Sequence, residues 1–280
     1  MIRIWHQSMT TLEEQPGYAT LMKGHAQKVC DADTVVDLHG VMPGTHAPDL
    51  APIQSAGLAW LAELNSLQIV ENVIRAQEEG YDAVAMSCFS DPQIDICRSL
   101  VDIPVVSAFE TSLLVASTSA RAFGLLVPTG SAVRNSRRRV THYGYQHRVA
   151  AVSACEPQLT EYDMVHGFDG GGEMVDKLVA NIRRMGEGGA DLVIPAEGVL
   201  NALLVHNGIA NVDGVPVFDS FGAVIAMAEM LVRLHRKTGL RNARKGGYSR
   251  PEARFVARSR QIAIWALTEA ARRQDPAARS

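Results

Sequence analysis

A chain of 280 residues, 47% of them hydrophobic and with a formal net charge of −3, has material for the cores of two α/β domains of ordinary size. This balance excludes a disordered chain and provides no whole-molecule field for nucleic acid or an acidic membrane surface. Its four cysteines, Cys30, Cys88, Cys97 and Cys155, form no CxxC pair. That argues against a zinc finger or a disulfide framework and predicts a reduced, cytoplasmic setting. The opening residues Met1 to His6 turn polar at once, unlike a signal peptide, and no apolar run is long enough for a bilayer, so no membrane role is expected.

In chain order, Ile2–Trp5, Thr34–Leu38, Ala83–Met86 and Pro104–Val106 read as short β-branched strands bounded by polar or Gly/Pro turns. Before the third, Leu67, Val70, Val73 and Ile74 form one stripe of a helix that ends at Gly80. The second half repeats the order, with strands at Phe123–Val127, Val149–Val152, Leu192–Ile194 and Pro216–Phe218 and helices over Met174–Met185 and Ala223–Leu234. Strands alternating with helices imply right-handed crossovers and parallel sheets, whose ligands bind beyond the carboxyl ends of the strands. His6, Gln7, Ser8, Cys88, Thr129 and Glu197 fall at those ends.

The halves resemble each other residue by residue. Gly80 aligns with Gly189, Asp82 with Asp191 and Val84 with Val193 without a gap, which sets Cys88 opposite Glu197. Further on, the turn before Pro104-Val105 recurs before Pro216-Val217, and Phe109 corresponds to Phe221. A duplicated unit with an ionisable group at each equivalent strand end predicts a two-sided site between the halves. The expected architecture is α/β: two pseudo-symmetric domains, each a parallel sheet flanked by helices, with the active site in the interdomain cleft. The expected divisions are 1–115 with 221–251, then 116–220, then a C-terminal helical extension over 252–280.

The segment Cys88-Phe89-Ser90-Asp91-Pro92-Gln93-Ile94-Asp95 resembles the first-cysteine motif of hydantoin racemases, within the aspartate/glutamate racemase superfamily. Arg121 to Val127 followed by Thr129 resembles the strand that opens that family's second half, and Gly189-Ala190-Asp191 the lead-in to its second cysteine. Gly239-Leu240, Arg244, Gly246, Tyr248 and Pro251 are similar to its C-terminal signature, so the likeness covers roughly residues 1–251. Where the family has its second catalytic cysteine, this chain has Glu197. The resemblance implies a cofactor-independent isomerase acting on a small molecule, and a homo-oligomer is the expected assembly. It also implies substrate contacts from the polar strand-end residues His6, Gln7, Ser8 and Thr129, and from the turns holding Phe89, Ser90, Gly198 and Val199.

Moving a proton from one face of a carbon α to a carbonyl and returning it to the other needs an acid and a base on opposite sides. Cys88 can serve once its thiol is activated, and a helix beginning near Asp91-Pro92 is expected to help. Glu197 can also transfer protons if burial lifts its pKa, and a proton shared with Cys88 is expected, since two charges side by side oppose each other. The leading reading is racemisation or isomerisation of a hydantoin-like ring or carboxylate. The alternatives are a hydrolase of a small amide or cyclic amide, with Cys88 as nucleophile and Glu197 as base, a lyase or decarboxylase, and a ligand-binding protein on the same scaffold.

Each residue also has a plainer role. Glu197 suits a helix N-terminus, where a carboxylate gains about 0.3–1 kcal/mol. Ser8 and Thr129 suit turns and caps, His6 beside Trp5 suits partial burial, and Cys30, Cys97 and Cys155 suit packing. His39 and His46, near Asp37 and Asp49, have no regular metal-ligand spacing, so no metal is expected. The Gly167–Gly172 stretch lacks a P-loop ending and reads as a loop over the site. Arg137-Arg138-Arg139, with Arg134 and Arg148, reads as a solvated helix face rather than an RNA-binding patch, so no nucleic-acid partner is expected. Phe255, Val256, Ile262, Trp265 and Leu267 make the tail too apolar to hang free; it is expected to dock on its own domain or on a neighbouring subunit.

Overall fold

The structure, a computed structural model, describes residues 1–169 and 172–274. Its first half runs β1 (Ile2–Gln7), α1 (Pro16–Val29), β2 (Thr34–His39), the short α2 (Pro52–Ser55), α3 (Ala59–Glu78), β3 (Ala83–Met86), α4 (Ile94–Leu100), β4 (Val105–Ser107) and α5 (Ala108–Ser119). The second runs β5 (Phe123–Val127), α6 (Gly130–His142), β6 (Val149–Ala154), α7 (Glu161–Val165), α8 (Gly172–Glu187), β7 (Leu192–Pro195), α9 (Gly198–His206), the hairpin strands β8 (Asn211–Val212) and β9 (Val215–Pro216), and α10 (Ser220–Thr238). α11 (Ala253–Gln274) follows. The first sheet has the order β2-β1-β3-β4 and the second β6-β5-β7, with every pairing in both parallel.

The sequence repeat is a repeat of hydrogen bonds. Asp82 accepts the backbone N–H of Arg3 at 2.9 Å, and Asp191 accepts that of Ala122 at 3.1 Å, so each carboxylate clamps the first strand of its sheet to the incoming third. At the other end of those strands the N–H of Ser87 reaches Gln7 O (3.0 Å) and that of Ala196 reaches Leu126 O (2.8 Å). Gly80 and Gly189, at φ 77 and 96, make the left-handed turns that end α3 and α8 before each strand, a conformation that a Cβ resists. Cys88 and Glu197, each one residue further on, thus occupy equivalent places.

One correction concerns the expected strand Pro216–Phe218. Only Val217 bridges to Val193 in parallel, while Val215–Pro216 is taken by the antiparallel hairpin. The halves also share a core: Ile2 and Ile4 of β1 belong to one apolar cluster with Leu125 and Leu126 of β5 and Ile194 of β7. Two helices stitch them. α5 crosses the expected 115/116 division and touches both β4 and β7, and α10 returns to lie on β1, β3, β4 and α5. Trp5, Ile69, Val73 and Cys97 fill a second cluster on the other side of the first sheet. Among the described residues no helix is long and apolar enough to cross a membrane.

Candidate active site

The two equivalent strand ends meet at an open cleft lined by Ser87, Cys88, Phe89 and Ser90 from the first half and Ala196, Glu197 and Gly198 from the second. The approach is close. A Cβ placed on Gly198 would lie 3.2 Å from the Tyr18 hydroxyl of α1 and 3.8 Å from the carbonyl oxygen of Ser87. The glycine therefore lets the turn of one half lie against the strand end of the other.

On the first side, Cys88 Sγ is 2.9 Å from Ser90 Oγ. Burial pushes this thiol up, while the Ser90 side chain and backbone and the Arg139 guanidinium pull the other way. Arg139 arrives from α6 and donates to the carbonyl of Ser90. The expected helix at Asp91-Pro92 does not begin there. Asp91 and Gln93 take left-handed φ of 47 and 53, and α4 starts only at Ile94. Pro92 disfavours helical backbone at Asp91, whose carboxylate is held instead by Tyr143 Oη at 2.8 Å and Ser107 Oγ at 2.5 Å. Buried there, Asp91 is pushed up to about 6. Cys88 is thus set by a hydrogen-bonded turn and an arginine, not by a helix terminus.

On the second side, Glu197 caps α9, its carboxylate accepting the N–H of Leu200 at 2.7 Å. The plain reading of this residue is therefore present, but the carboxylate also faces the cleft. Burial raises its pKa, against the backbone N–H groups of Leu200, Val199 and Gly198. Its charged neighbour is Glu161 of α7, 4% exposed, which lines the same cleft and keeps Oε2 without a hydrogen-bond partner. Burial, then the charge of Glu197, raises Glu161. The group whose protonation answers to Glu197 is therefore Glu161 rather than Cys88: burial and the Glu197 charge favour its neutral form, up to about 8. Tyr18, which stays neutral, is pushed up by burial and by Glu197, Glu161 and Cys88 in turn, so its ring lies within the field of all three.

Of the remaining expected contacts, Ser8, Phe89, Ser90 and Gly198 line the cleft; His6, Gln7, Thr129 and Val199 do not. His6 is fully buried with its ring 5.1 Å from that of Phe221, and burial holds it near 3, so it is neutral. Gln7 spends its side chain internally, taking Trp5 Nε1–H at 2.9 Å and donating to Ser8 O at 2.8 Å. Thr129 caps α6 and pairs with Ser131 Oγ at 3.0 Å; Ser131 is the residue that reaches the cleft. Val199 is core, contributing only its N–H to Glu197. His46 has both ring nitrogens engaged, by Ser55 and Met9, and His39 is stacked on Trp5 at 3.3 Å. The expected loop over the site is only partly visible: His166–Asp169 form a 3-10 turn with Phe168 stacked on Tyr18, while Gly170 and Gly171 lie outside the described residues.

Glu161 and Arg139 are two charged cleft residues that the sequence does not single out. Arg139 was hidden in its basic run, although Ala132, Asn135, Ser136 and Arg139 share one helical stripe and all four line the cleft.

Together, fold and cleft define a two-halved α/β enzyme scaffold with one ionisable side chain brought to the cleft by each half. The chain belongs to the Asp/Glu/Hydantoin racemase family, whose model matches residues 39–228. A hydantoin racemase of Pseudomonas sp. (strain NS671) is 26% identical over 170 residues, 61% of this chain and 66% of that protein, so just under two thirds of that relative is spanned. One from Paenarthrobacter aurescens is 24% identical over 226 residues, 80% and 91% of the two chains. Allantoin racemase from Klebsiella pneumoniae shares the fold with a TM-score of 0.73 at 23% identity, covering 90% of this chain and 94% of its own.

Proposed function

We propose that this protein is a cofactor-independent racemase or epimerase of a small carbonyl compound, a hydantoin-like cyclic amide or a carboxylate, with Cys88 and Glu197 as the opposed acid and base. The observation that carries this reading is the pair of equivalent strand ends delivering a thiol and a carboxylate to one cleft. In one direction the Glu197 carboxylate takes the α-proton, the electron pair moves onto the carbonyl oxygen, and Cys88 S–H returns a proton to the other face. The enzyme is left as Glu197 acid and Cys88 thiolate, which serves the reverse direction.

A reaction that runs both ways needs two groups of similar proton affinity. An unperturbed glutamate and cysteine are about four pKa units apart. Burial raises Glu197, which narrows the gap; it raises Cys88 as well, and Ser90 and Arg139 limit that rise. Burial and the Glu197 charge hold Glu161 protonated up to about 8, so its ionisation puts a second charge beside the base on the alkaline side of the profile. Glu161→Gln removes that group, and the kcat profile is expected to lose an inflection near pH 8 while its acid limb stays in place. A Glu161 with no influence on the site would leave the alkaline side unchanged.

Turnover of a 5-substituted hydantoin in D₂O tests the reaction class: deuterium is expected at the α-carbon at the rate of stereochemical inversion. Retention of the α-hydrogen, with a covalent Cys88 adduct by intact mass and solvent oxygen in the product, would overturn this reading in favour of hydrolysis.

A further inference from the structure

α11 lies beyond the matched family segment, which ends at residue 228, and the body of its own chain does not cover it. None of its described side chains is buried. Among the described residues, an ion pair between Arg260 and Glu71 of α3 ties it to the body. Ile262 and Trp265 are 57% and 63% exposed, and Phe255, Ile264 and Leu267 are exposed with them. Contiguous apolar surface of this kind on a helix marks a contact site, and a lone helix gains most of its stability from such a contact.

The chemistry of a cover for it is present on the same molecule. From Ala253 to Thr268 the helix carries Arg254, Arg258 and Arg260 and no acidic residue. Phe255, Arg258, Ile262 and Trp265 form one stripe along it. On α3, Trp60, Glu63, Leu67 and Glu71 form another, with Trp60 and Leu67 left 70% and 43% exposed. Both stripes advance by three- and four-residue steps, so laid side by side Phe255 meets Trp60, Arg258 meets Glu63 and Ile262 meets Leu67. Apolar residues fall on apolar ones, and a cation with no ion-pair partner among the described residues falls on a carboxylate.

We propose that α11 is an assembly arm that docks on α3 of a second copy of this chain, with Arg258 paired to Glu63 of that copy. Each copy offers both the arm and the acceptor stripe, so a twofold arrangement makes the contact twice and closes it as a dimer. An anionic membrane surface suits a basic helix bearing Trp and Phe, but here Arg260 of the arm lies on Glu71 of α3, a helix that also carries Glu63 and Glu78, and these carboxylates oppose the same headgroups. A second copy turns that acidic stripe from a repulsion into the docking surface.

The test is the solution mass of the full-length protein by light scattering across a dilution series. The double substitution I262E/W265E, at exposed positions, is expected to at least halve the mass while the melting curve keeps its cooperative transition. R258E is expected to weaken association by about tenfold or more, since symmetry places two like-charge contacts in the interface. Combining R258E with E63R should restore the original mass, a rescue that a misfolded variant cannot show. An unchanged mass in I262E/W265E, or no recovery in the charge exchange, overturns the proposal. So does a monomeric wild-type chain that floats with phosphatidylserine-containing vesicles, which would assign the arm to membranes.

Discussion

Cys88→Ser is expected to lower turnover by about 10²–10⁴-fold with the fold intact, because a hydroxyl of similar size holds its proton far more tightly than a thiol. The Ser90 contact and the surrounding turn ask only for a small polar side chain, so the melting temperature should hardly move. The same thiol should be the first to be alkylated. Cys97 and Cys155 are buried and pushed up to about 12, whereas Cys88 opens on the cleft. Since burial also raises Cys88, its labelling is slow at neutral pH and quickens as pH rises and the thiolate fraction grows. Full activity after complete modification of Cys88 would remove it from the chemistry.

Glu197→Gln should cost a similar factor in kcat with a much smaller change in KM. The amide oxygen can still accept the Leu200 N–H and cap α9, but it cannot carry a proton between substrate and solvent. The mutant should also lose one limb of the pH profile. Glu197→Cys separates the mechanisms: two thiols can still exchange protons across a planar intermediate, so racemisation should persist, while hydrolysis that relies on a carboxylate base should vanish. If Glu197→Gln is kinetically silent, Glu197 is a cap and nothing more.

Much of this arrangement is legible in the chain because it is periodic or repeated. The Gly-x-Asp lead-ins state where two strands begin, and counting from them puts Cys88 and Glu197 at matched ends. The carboxyl pair is harder to see. Glu161 follows Thr160 and precedes Asp163 in a capping box, so it reads as one more acid favoured by a first helical turn. Only the packing of α7 against α9, set by contacts distant in sequence, turns it toward Glu197. Arg139 fails for a related reason: three consecutive arginines look like surface, and the helical rotation that sends the third inward is visible only with Ala132, Asn135 and Ser136 aligned beneath it. The helix expected after Cys88 fails because Asp91 is engaged by Tyr143 and Ser107, partners from two other elements.

The twin aspartate clamps have a consequence for how such a site can diversify. Asp82 and Asp191 fasten their strands at the edge far from the cleft, and Cys88 and Glu197 each stand the same count of residues downstream of their anchor. Along a strand every residue faces opposite to its neighbour, so a one-residue slip would turn the reacting group away from the cleft. Spacing is therefore rigid in both halves while the identity of the side chain at position 88 or 197 is not, since no clamp depends on it. A thiol can give way to a carboxylate at one end without disturbing the other, so a different ionisable group reaches the cleft on an unaltered gauge.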